Sequence, residues 1–264
     1  MISKKFSTKK ISRLSSVVLI AAVLCIVATN SLRAQQWNTD NYLTMPYGVS
    51  TFCVTVGERS ALILPSFSLA PNWEFFIGTT LLWEDKDRVV DDHFQTIIYA
   101  KRMLYENEAK TGGIAITAGT GGFPGYHLKN TRVESFRNFY LYVPGTIPFL
   151  DSMLSWDLNP GVIVDKQGGL ENDQWEWGFT YSTRVAIYKV IPKTAIVGEV
   201  YGTAGQVESS AEYNIGLRWE PYDQLNVSLS WGDSFDGSRG PGFQLGMLLY
   251  SPPFVCKGCK KDVY

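Results

Sequence analysis

The sequence predicts an all-β fold, an antiparallel transmembrane β-barrel of about 12 strands in the outer membrane of a Gram-negative cell. Three observations predict it. Long segments alternate apolar and polar side chains. Beyond the N-terminal segment, no apolar run approaches the roughly 18 residues of a membrane helix. Short turns also alternate with longer polar loops near the C-terminus, which is typical of such barrels.

The N-terminal segment, residues 1–34, has the composition of a secretory signal peptide. Its basic start is followed by a twelve-residue apolar run, Val17–Ala28, and by a polar stretch that ends at Ala34. Twelve residues reach only about 18 Å as a helix, too short for a hydrocarbon core of about 30 Å. We therefore expect cleavage after Ala34 and export; an uncleaved N-terminal anchor is the alternative.

The charge of the remaining chain is acidic. Residues 1–34 hold six Lys and Arg and no acid, which leaves 18 basic and 25 acidic side chains, a net charge of −7. A basic surface for nucleic acid is therefore absent, and no nucleic-acid partner is expected. Three cysteines remain, too few for a disulfide scaffold.

The clearest strand covers residues 175–187. One face reads Trp, Trp, Phe, Tyr, Thr, Val, Ile, and the other reads Glu, Gly, Thr, Ser, Arg, Ala. Thirteen alternating residues exceed the usual strand of about five or six, and such a length suits a tilted membrane strand.

Two further alternating runs, 213–220 and 225–231, are separated by a short turn and predict a hairpin. A polar, glycine-rich loop then leads to residues 243–249. Less regular segments upstream complete a set of about twelve strands. These segments are 47–56, 60–69, 73–83, 93–106, 110–120, 136–143, 152–164 and 193–203. The barrel is expected to occupy residues 35–254.

Trp73 and Trp83 lie near the two ends of one predicted strand, and a predicted hairpin carries Trp219 at its turn and Trp231 at its far end. Trp favours membrane interfaces because its ring is apolar and its N–H is polar. These four are therefore predicted to form interfacial aromatic belts. A soluble β-sandwich would also alternate, but the opposite faces here carry Gly, Ser, Asn, Arg and Glu, which would make a poor dry core.

With the aromatic faces outward, the alternating partners point into the lumen. The predicted lumen-lining residues include Glu176, Arg184, Glu199, Arg218 and Glu220. A ladder of Arg184, Glu199 and Arg218 across adjacent strands is geometrically feasible, since facing side chains lie about 5 Å apart. Such a lining either tunes what passes or braces the barrel as an ion-pair network; the second interpretation is favoured, and both can hold together.

A catalytic site is not predicted. Acyl transfer usually needs a histidine base, and only His93 and His127 are present, with no G-x-S-x-G motif around any serine. The protein is therefore not expected to be an enzyme, and no cofactor or metal is predicted.

The C-terminal tail, residues 255–264, contains a C-x-x-C pair, Cys256 and Cys259. Such a pair can be a redox motif, half of a metal site or a local disulfide. In an exported protein a disulfide is the default prediction.

The C-terminal third resembles a known family. Residues 213–232, the segment 242–250 and the motif Gly198-Glu199-Val200-Tyr201 are similar to the last strands of the transporter-like outer-membrane barrels linked to the meta pathway of phenol degradation. The resemblance covers about residues 194–250. It implies a barrel of about a dozen strands that admits small apolar or aromatic compounds.

The function expected from these features is that of a passive, porin-like uptake channel for small molecules, with outer-membrane lipid and small solutes as its partners. Two alternatives remain open: a structural or adhesive surface barrel with a closed lumen, and a lipid-modifying barrel enzyme. A soluble periplasmic β protein is a third. The sequence does not predict the oligomeric state.

Overall fold

The computed structural model describes residues 37–82, 93–122, 136–166, 174–207, 209–238 and 240–254. These residues form fourteen strand segments, all joined in one antiparallel sheet. The segments are β1 (Ser50–Gly57), β2 (Ser60–Ala70), β3 (Trp73–Leu82), β4 (His93–Glu106), β5 (Gly113–Gly121), β6 (Asn138–Tyr142), β7 (Gly145–Phe149), β8 (Leu154–Leu158), β9 (Gly161–Lys166), β10 (Trp175–Ile191), β11 (Thr194–Gly205), β12 (Ser209–Tyr222), β13 (Leu225–Ser234) and β14 (Gly242–Tyr250).

The sheet closes into a barrel of 12 strands, which confirms the predicted fold class. Consecutive strands pair around the barrel, and β14 pairs with β1 to close it, with Tyr250 opposite Thr51. Both β6 and β7 pair with β5, and both β8 and β9 pair with β10. Each of these two couples is therefore one interrupted strand of the barrel.

Two prolines account for the interruptions. Pro144 separates β6 from β7, and Pro160 separates β8 from β9. Proline has no N–H and cannot donate to a ladder. The carbonyls still accept across the gap: Ala115 N donates to Pro144 O at 2.8 Å, and Val143 N donates to Pro160 O at 2.9 Å. The sheet therefore stays continuous although the strands are broken.

Alternation separates the two surfaces of the barrel wall. On β13, Leu229 and Trp231 are exposed on the outside, whereas Asn226, Ser228 and Ser230 are buried inside. This is the reverse of a soluble protein, because the exposed side chains are the apolar ones. Among the described residues, no helix is long and apolar enough to cross a membrane.

The barrel has two distinct ends. The turns after β2, β4, β7, β10 and β12 lie at one end, here called the turn end, together with the start of β1 and the end of β14. The opposite end, here called the loop end, carries the connections from β3 to β4, β5 to β6 and β9 to β10, parts of which lie outside the described residues.

The loop between β13 and β14 is held by one carboxylate. Asp236 accepts hydrogen bonds from the hydroxyls of Ser210 and Ser234, the latter at 2.6 Å, and from Ser238 N at 2.8 Å. These hydrogen bonds hold the pKa of Asp236 well below its usual range. The bond from Ser210 has the largest effect, followed by those from Ser234 and Ser238. The loop is therefore tied to the start of β12 at the loop end.

This pKa predicts how the loop responds to acid. A depressed carboxyl pKa contributes stability that is fully present above the unfolded value of about 3.9 and is lost progressively as pH falls from there through the folded value. We therefore expect amide protection of residues 235–238, measured by hydrogen exchange and corrected for intrinsic rates, to be the same at about pH 7 and about pH 5. Asp236→Ala should lower that protection at both, while Asp223→Ala at the turn end should not. Loss of protection near pH 5 in the unmodified protein would contradict the assignment.

Candidate functional site

The chain before β1 folds back into the barrel interior at the turn end. Residues 37–49, here called the plug, form no strand, and most of their side chains are buried; they include Trp37, Thr39, Asp40, Tyr42, Met45 and Val49. The sequence analysis did not foresee this placement, because the segment has no period-2 alternation and shows no other signal of an interior position. The turn-end half of the lumen is thus filled by the chain itself.

A buried ion pair anchors the middle of the plug to the wall. Asp40 Oδ1 lies 2.7 Å from Lys101 Nζ on β4, and the two side chains are only 1% and 2% exposed. A charge buried at this depth is tolerated only when it is paired, and removing one partner of such a pair costs about 3–5 kcal/mol. Asp40 and Lys101 therefore depend on each other as long as the plug is seated.

A second anchor is the carboxylate of Glu199 on β11. Its Oε1 accepts from Asn38 N at 3.3 Å and from Asn38 Nδ2 at 3.1 Å, and its Oε2 accepts from Thr39 N at 2.9 Å. Asn214 Nδ2 donates to Oε1 from the neighbouring strand at 2.9 Å. An ionised carboxylate is an acceptor only, and all four partners are donors.

The remaining anchors are also side-chain contacts. Glu74 on β3 accepts from Met45 N at 3.2 Å and from Ser66 Oγ at 2.5 Å. Tyr42 donates its hydroxyl to Glu106 Oε1 at 3.2 Å. The first part of the plug is thus held to three sides of the wall by contacts that involve a side chain, whereas its last two residues, Gly48 and Val49, exchange backbone hydrogen bonds with Ser68 on β2.

Little space remains beside the plug. Two cavities lined by described residues border it, one of about 10 Å³ against β3 and β4 and one of about 30 Å³ against β8 and β10. A single water molecule needs a cavity of roughly 10–15 Å³. These cavities accommodate one or two waters at most, so they offer no path for a solute while the plug is seated.

The structure places the five predicted lumen residues on the lumen-facing side of their strands. Arg184, Glu199 and Arg218 are buried, and Glu176 and Glu220 are partly buried. Arg184 stands opposite Glu199 in the register of β10 and β11.

The second rung of the expected ladder is not formed. Opposite Glu199 the register of β11 and β12 places Asn214, and opposite Arg218 it places Ala195. A shift of four residues separates Arg218 from the position that the ladder requires. Register is set by turn geometry and bulges as well as by alternation, so alternation alone could not predict it.

The arginines find other acidic partners. Arg184 Nε and Nη2 lie 2.9 Å and 2.8 Å from Asp157 Oδ2. Arg218 Nη2 lies 2.6 Å from Glu220 Oε1, within one strand. Sequence analysis missed Asp157 because β8 has only five residues and ends before a proline, too short to show alternation. These pairs brace the wall on the side of the barrel that carries most of its buried charge.

The opposite side of the lumen is aromatic. The rings of Phe76 and Tyr99 stack with centroids 4.1 Å apart, and Tyr140 lies 6.4 Å from Tyr99 and 6.2 Å from Tyr142. All four side chains are buried inside the barrel. This group, here called the aromatic wall, belongs to β3, β4 and β6. The aromatic wall therefore lies across the lumen from Arg184, Glu199 and Arg218, and it shares β3 and β4 with the buried charges of Glu74 and Lys101.

The predicted belt residues that the structure describes lie on the outer surface. Trp219 and Trp231 are exposed, Trp73 is partly exposed, and Arg102 stacks over Trp73 with its guanidinium 5.3 Å from the ring centroid. Trp83, His127, the 1–34 segment and the pair Cys256 and Cys259 lie outside the described residues, so the predictions for them stay predictions. Within the described ranges, no group of His, Cys, Asp and Glu could hold a metal ion.

Comparison with known proteins supports the fold. No protein-family model and no curated protein matches the sequence. The KdgM porin, solved alone and in complex with disordered oligogalacturonate, matches with a TM-score of 0.51 and 14% identity over 76% of this chain and 98% of that chain. An outer membrane channel from Pseudomonas putida F1 matches with a TM-score of 0.44 and 13% identity over 79% of this chain and 97% of that one. The likeness to KdgM shows a shared barrel fold, and it does not confirm the resemblance to the phenol-pathway family.

Proposed function

We propose that the protein is a passive outer-membrane channel for small solutes, closed at its turn end by the plug. The observation that carries the proposal is a closed barrel with an apolar exterior and a charged interior, in which a non-strand segment occupies the passage. A purely structural barrel would need no separate segment in its interior, since wall side chains alone could fill it. The likeness to the KdgM barrel, which is a porin, supports this interpretation.

The exterior supports a membrane location. Large apolar side chains such as Phe52, Ile77, Phe179, Leu217 and Leu245 are each about 40–60% exposed on the outer face. Soluble monomers rarely expose contiguous apolar patches beyond a few hundred Å². Trp219 near the turn end and Trp231 near the loop end fit the two interfacial levels of a bilayer.

Two expectations about the passage remain to be tested. The resemblance of the C-terminal strands implies small apolar or aromatic solutes, and the aromatic wall is compatible with aromatic ones. The filled turn end, on the other hand, favours the rival function of a structural or adhesive barrel with a closed lumen. What separates the two functions is whether the lumen conducts once the plug is gone.

The membrane assignment is tested by extraction and gel mobility. We expect the protein to need detergent for extraction and to migrate faster unboiled than boiled, because a closed 12-stranded barrel keeps its compact shape in mild detergent. Release without detergent would overturn the location and revive the soluble β protein.

The channel assignment is tested by liposome swelling with neutral sugars of graded size. Liposomes that contain the unmodified protein should swell slowly, and those that contain a variant lacking residues 37–45 should swell at least about tenfold faster for small sugars, since the cavities beside the seated plug pass none. Equal and negligible swelling of both, with intact heat-shifted bands, would favour the structural barrel.

A further inference from the structure

We infer that the open lumen passes cations in preference to anions, that Glu199 is the residue that sets this preference, and that small primary ammonium ions are the solute class it suits. The inference rests on the proposed channel function and deepens it. Three independent features of the described lumen carry it: its charge balance, the donors that occupy Glu199, and the aromatic wall.

The interior holds more buried carboxylates than cations. Among the described residues, four Lys and Arg side chains are buried, Arg59, Lys101, Arg184 and Arg218, against six acids, Asp40, Glu74, Asp157, Asp165, Glu199 and Glu212. Each of the four cations lies within an ion pair, with Glu212, Asp40, Asp157 and Glu220 respectively. While the plug is seated, each of these four cations is therefore neutralised by a carboxylate.

The excess of buried carboxylates over buried cations persists when the plug leaves the lumen. When the plug leaves, it carries Asp40 away from Lys101, and the wall still keeps five buried carboxylates against four cations among the described residues. The partly buried carboxylates Glu106, Glu176 and Glu220 add to the negative side. A lumen lined by charge of one sign concentrates solutes of the opposite sign, because field lines are focused between low-dielectric walls.

Glu199 is the carboxylate that opening exposes most directly. It makes no ion pair with the residues that the structure describes, and three of its four hydrogen bonds come from plug N–H groups, those of Asn38 N, Asn38 Nδ2 and Thr39 N. Release of the plug leaves Glu199 with one hydrogen bond, from Asn214, because the guanidinium of Arg184 on the facing strand is already paired with Asp157. A primary ammonium carries three N–H donors on one atom, so it supplies the same donors with a compensating charge.

The aromatic wall suits the same class. The rings of Phe76, Tyr99 and Tyr140 lie inside the barrel, where Phe76 and Tyr99 stack on each other, and the ring faces that are not stacked attract cations through their negative quadrupole. Anions gain nothing from such faces. A small ammonium ion therefore finds an acceptor at Glu199 and favourable ring faces on the aromatic wall.

The test is the reversal potential of the reconstituted full-length protein, and of the variant lacking residues 37–45, in planar bilayers under a salt gradient. The probes are ethanolammonium chloride, tetramethylammonium chloride and potassium glycolate. Ethanolammonium and glycolate are similar in size and opposite in charge, and tetramethylammonium has the charge without N–H donors. We expect a cation permeability about tenfold above that of chloride or glycolate, with ethanolammonium ahead of tetramethylammonium.

Glu199→Gln should lower the cation preference several-fold, whereas Glu108→Gln, the same change in the exposed turn between β4 and β5, should leave it unchanged. Conductance without cation preference, or a preference that Glu199→Gln does not alter, would overturn the inference while leaving the channel intact. Equal permeation of the two cations would overturn the primary-ammonium assignment. Absence of any conductance in both proteins would overturn the channel function and the inference with it.

Discussion

Asp40→Ala is expected to raise the conductance of the reconstituted protein by about two orders of magnitude. The substitution leaves the Lys101 ammonium buried without its partner, 2.7 Å from where the Asp40 carboxylate stood. Removing one partner of a buried pair costs about 3–5 kcal/mol, and each 1.4 kcal/mol is about a factor of ten in an equilibrium. Because Lys101 is on the wall, it regains water only when the plug leaves, so the cost favours release of the plug rather than unfolding of the barrel.

Single-channel recording measures the expected release of the plug as an increase in the open probability of the channel. The matched control is the double variant Asp40→Asn with Lys101→Met, which removes both charges and leaves no unpaired ion inside the lumen. We expect the double variant to return to nearly the closed behaviour of the unmodified protein. If Asp40→Ala kept its heat-shifted band and conducted no more than the unmodified protein, the plug would not be the closing element.

Arg184→Leu should produce the largest loss of barrel stability, about 3–5 kcal/mol, because it leaves Asp157 buried without a cation. The guanidinium contacts Asp157 Oδ2 through both Nε and Nη2, and the other carboxylate oxygen accepts only from Thr146 Oγ1 at 2.6 Å. Both charged groups lie on strands of the wall, so no local rearrangement of the plug relieves the cost.

The urea midpoint of the folded band in mild detergent reports this loss. Arg102→Leu, the same substitution at an exposed arginine of β4, should cost no more than about 1 kcal/mol. Adding Asp157→Asn to Arg184→Leu should recover most of the stability, because an amide tolerates burial better than an unpaired carboxylate. A midpoint for Arg184→Leu equal to that of Arg102→Leu would show that this pair does not brace the barrel.

The amino-acid sequence by itself was sufficient to predict the architecture. The alternation along β10, β12, β13 and β14 predicted which side chains face out, and the count of about twelve strands was correct. A membrane barrel imposes period 2 on every strand, since each residue meets either lipid or lumen. That local constraint can be read from short windows of sequence, even where Pro144 and Pro160 break two strands into shorter segments.

The contents of the lumen were decided only by the tertiary structure. The predicted ladder of Arg184, Glu199 and Arg218 gave way to pairs with Asp157 and Glu220, because turns and bulges set the register of each hairpin. The sequence analysis could not predict the plug, because its contacts join residues that are far apart in the chain. Asp40 and Lys101 are separated by 61 positions, and Thr39 and Glu199 by 160. Periodicity reports the neighbours of a residue along its own strand, whereas these contacts arise only once the barrel has closed around a segment that has no period of its own.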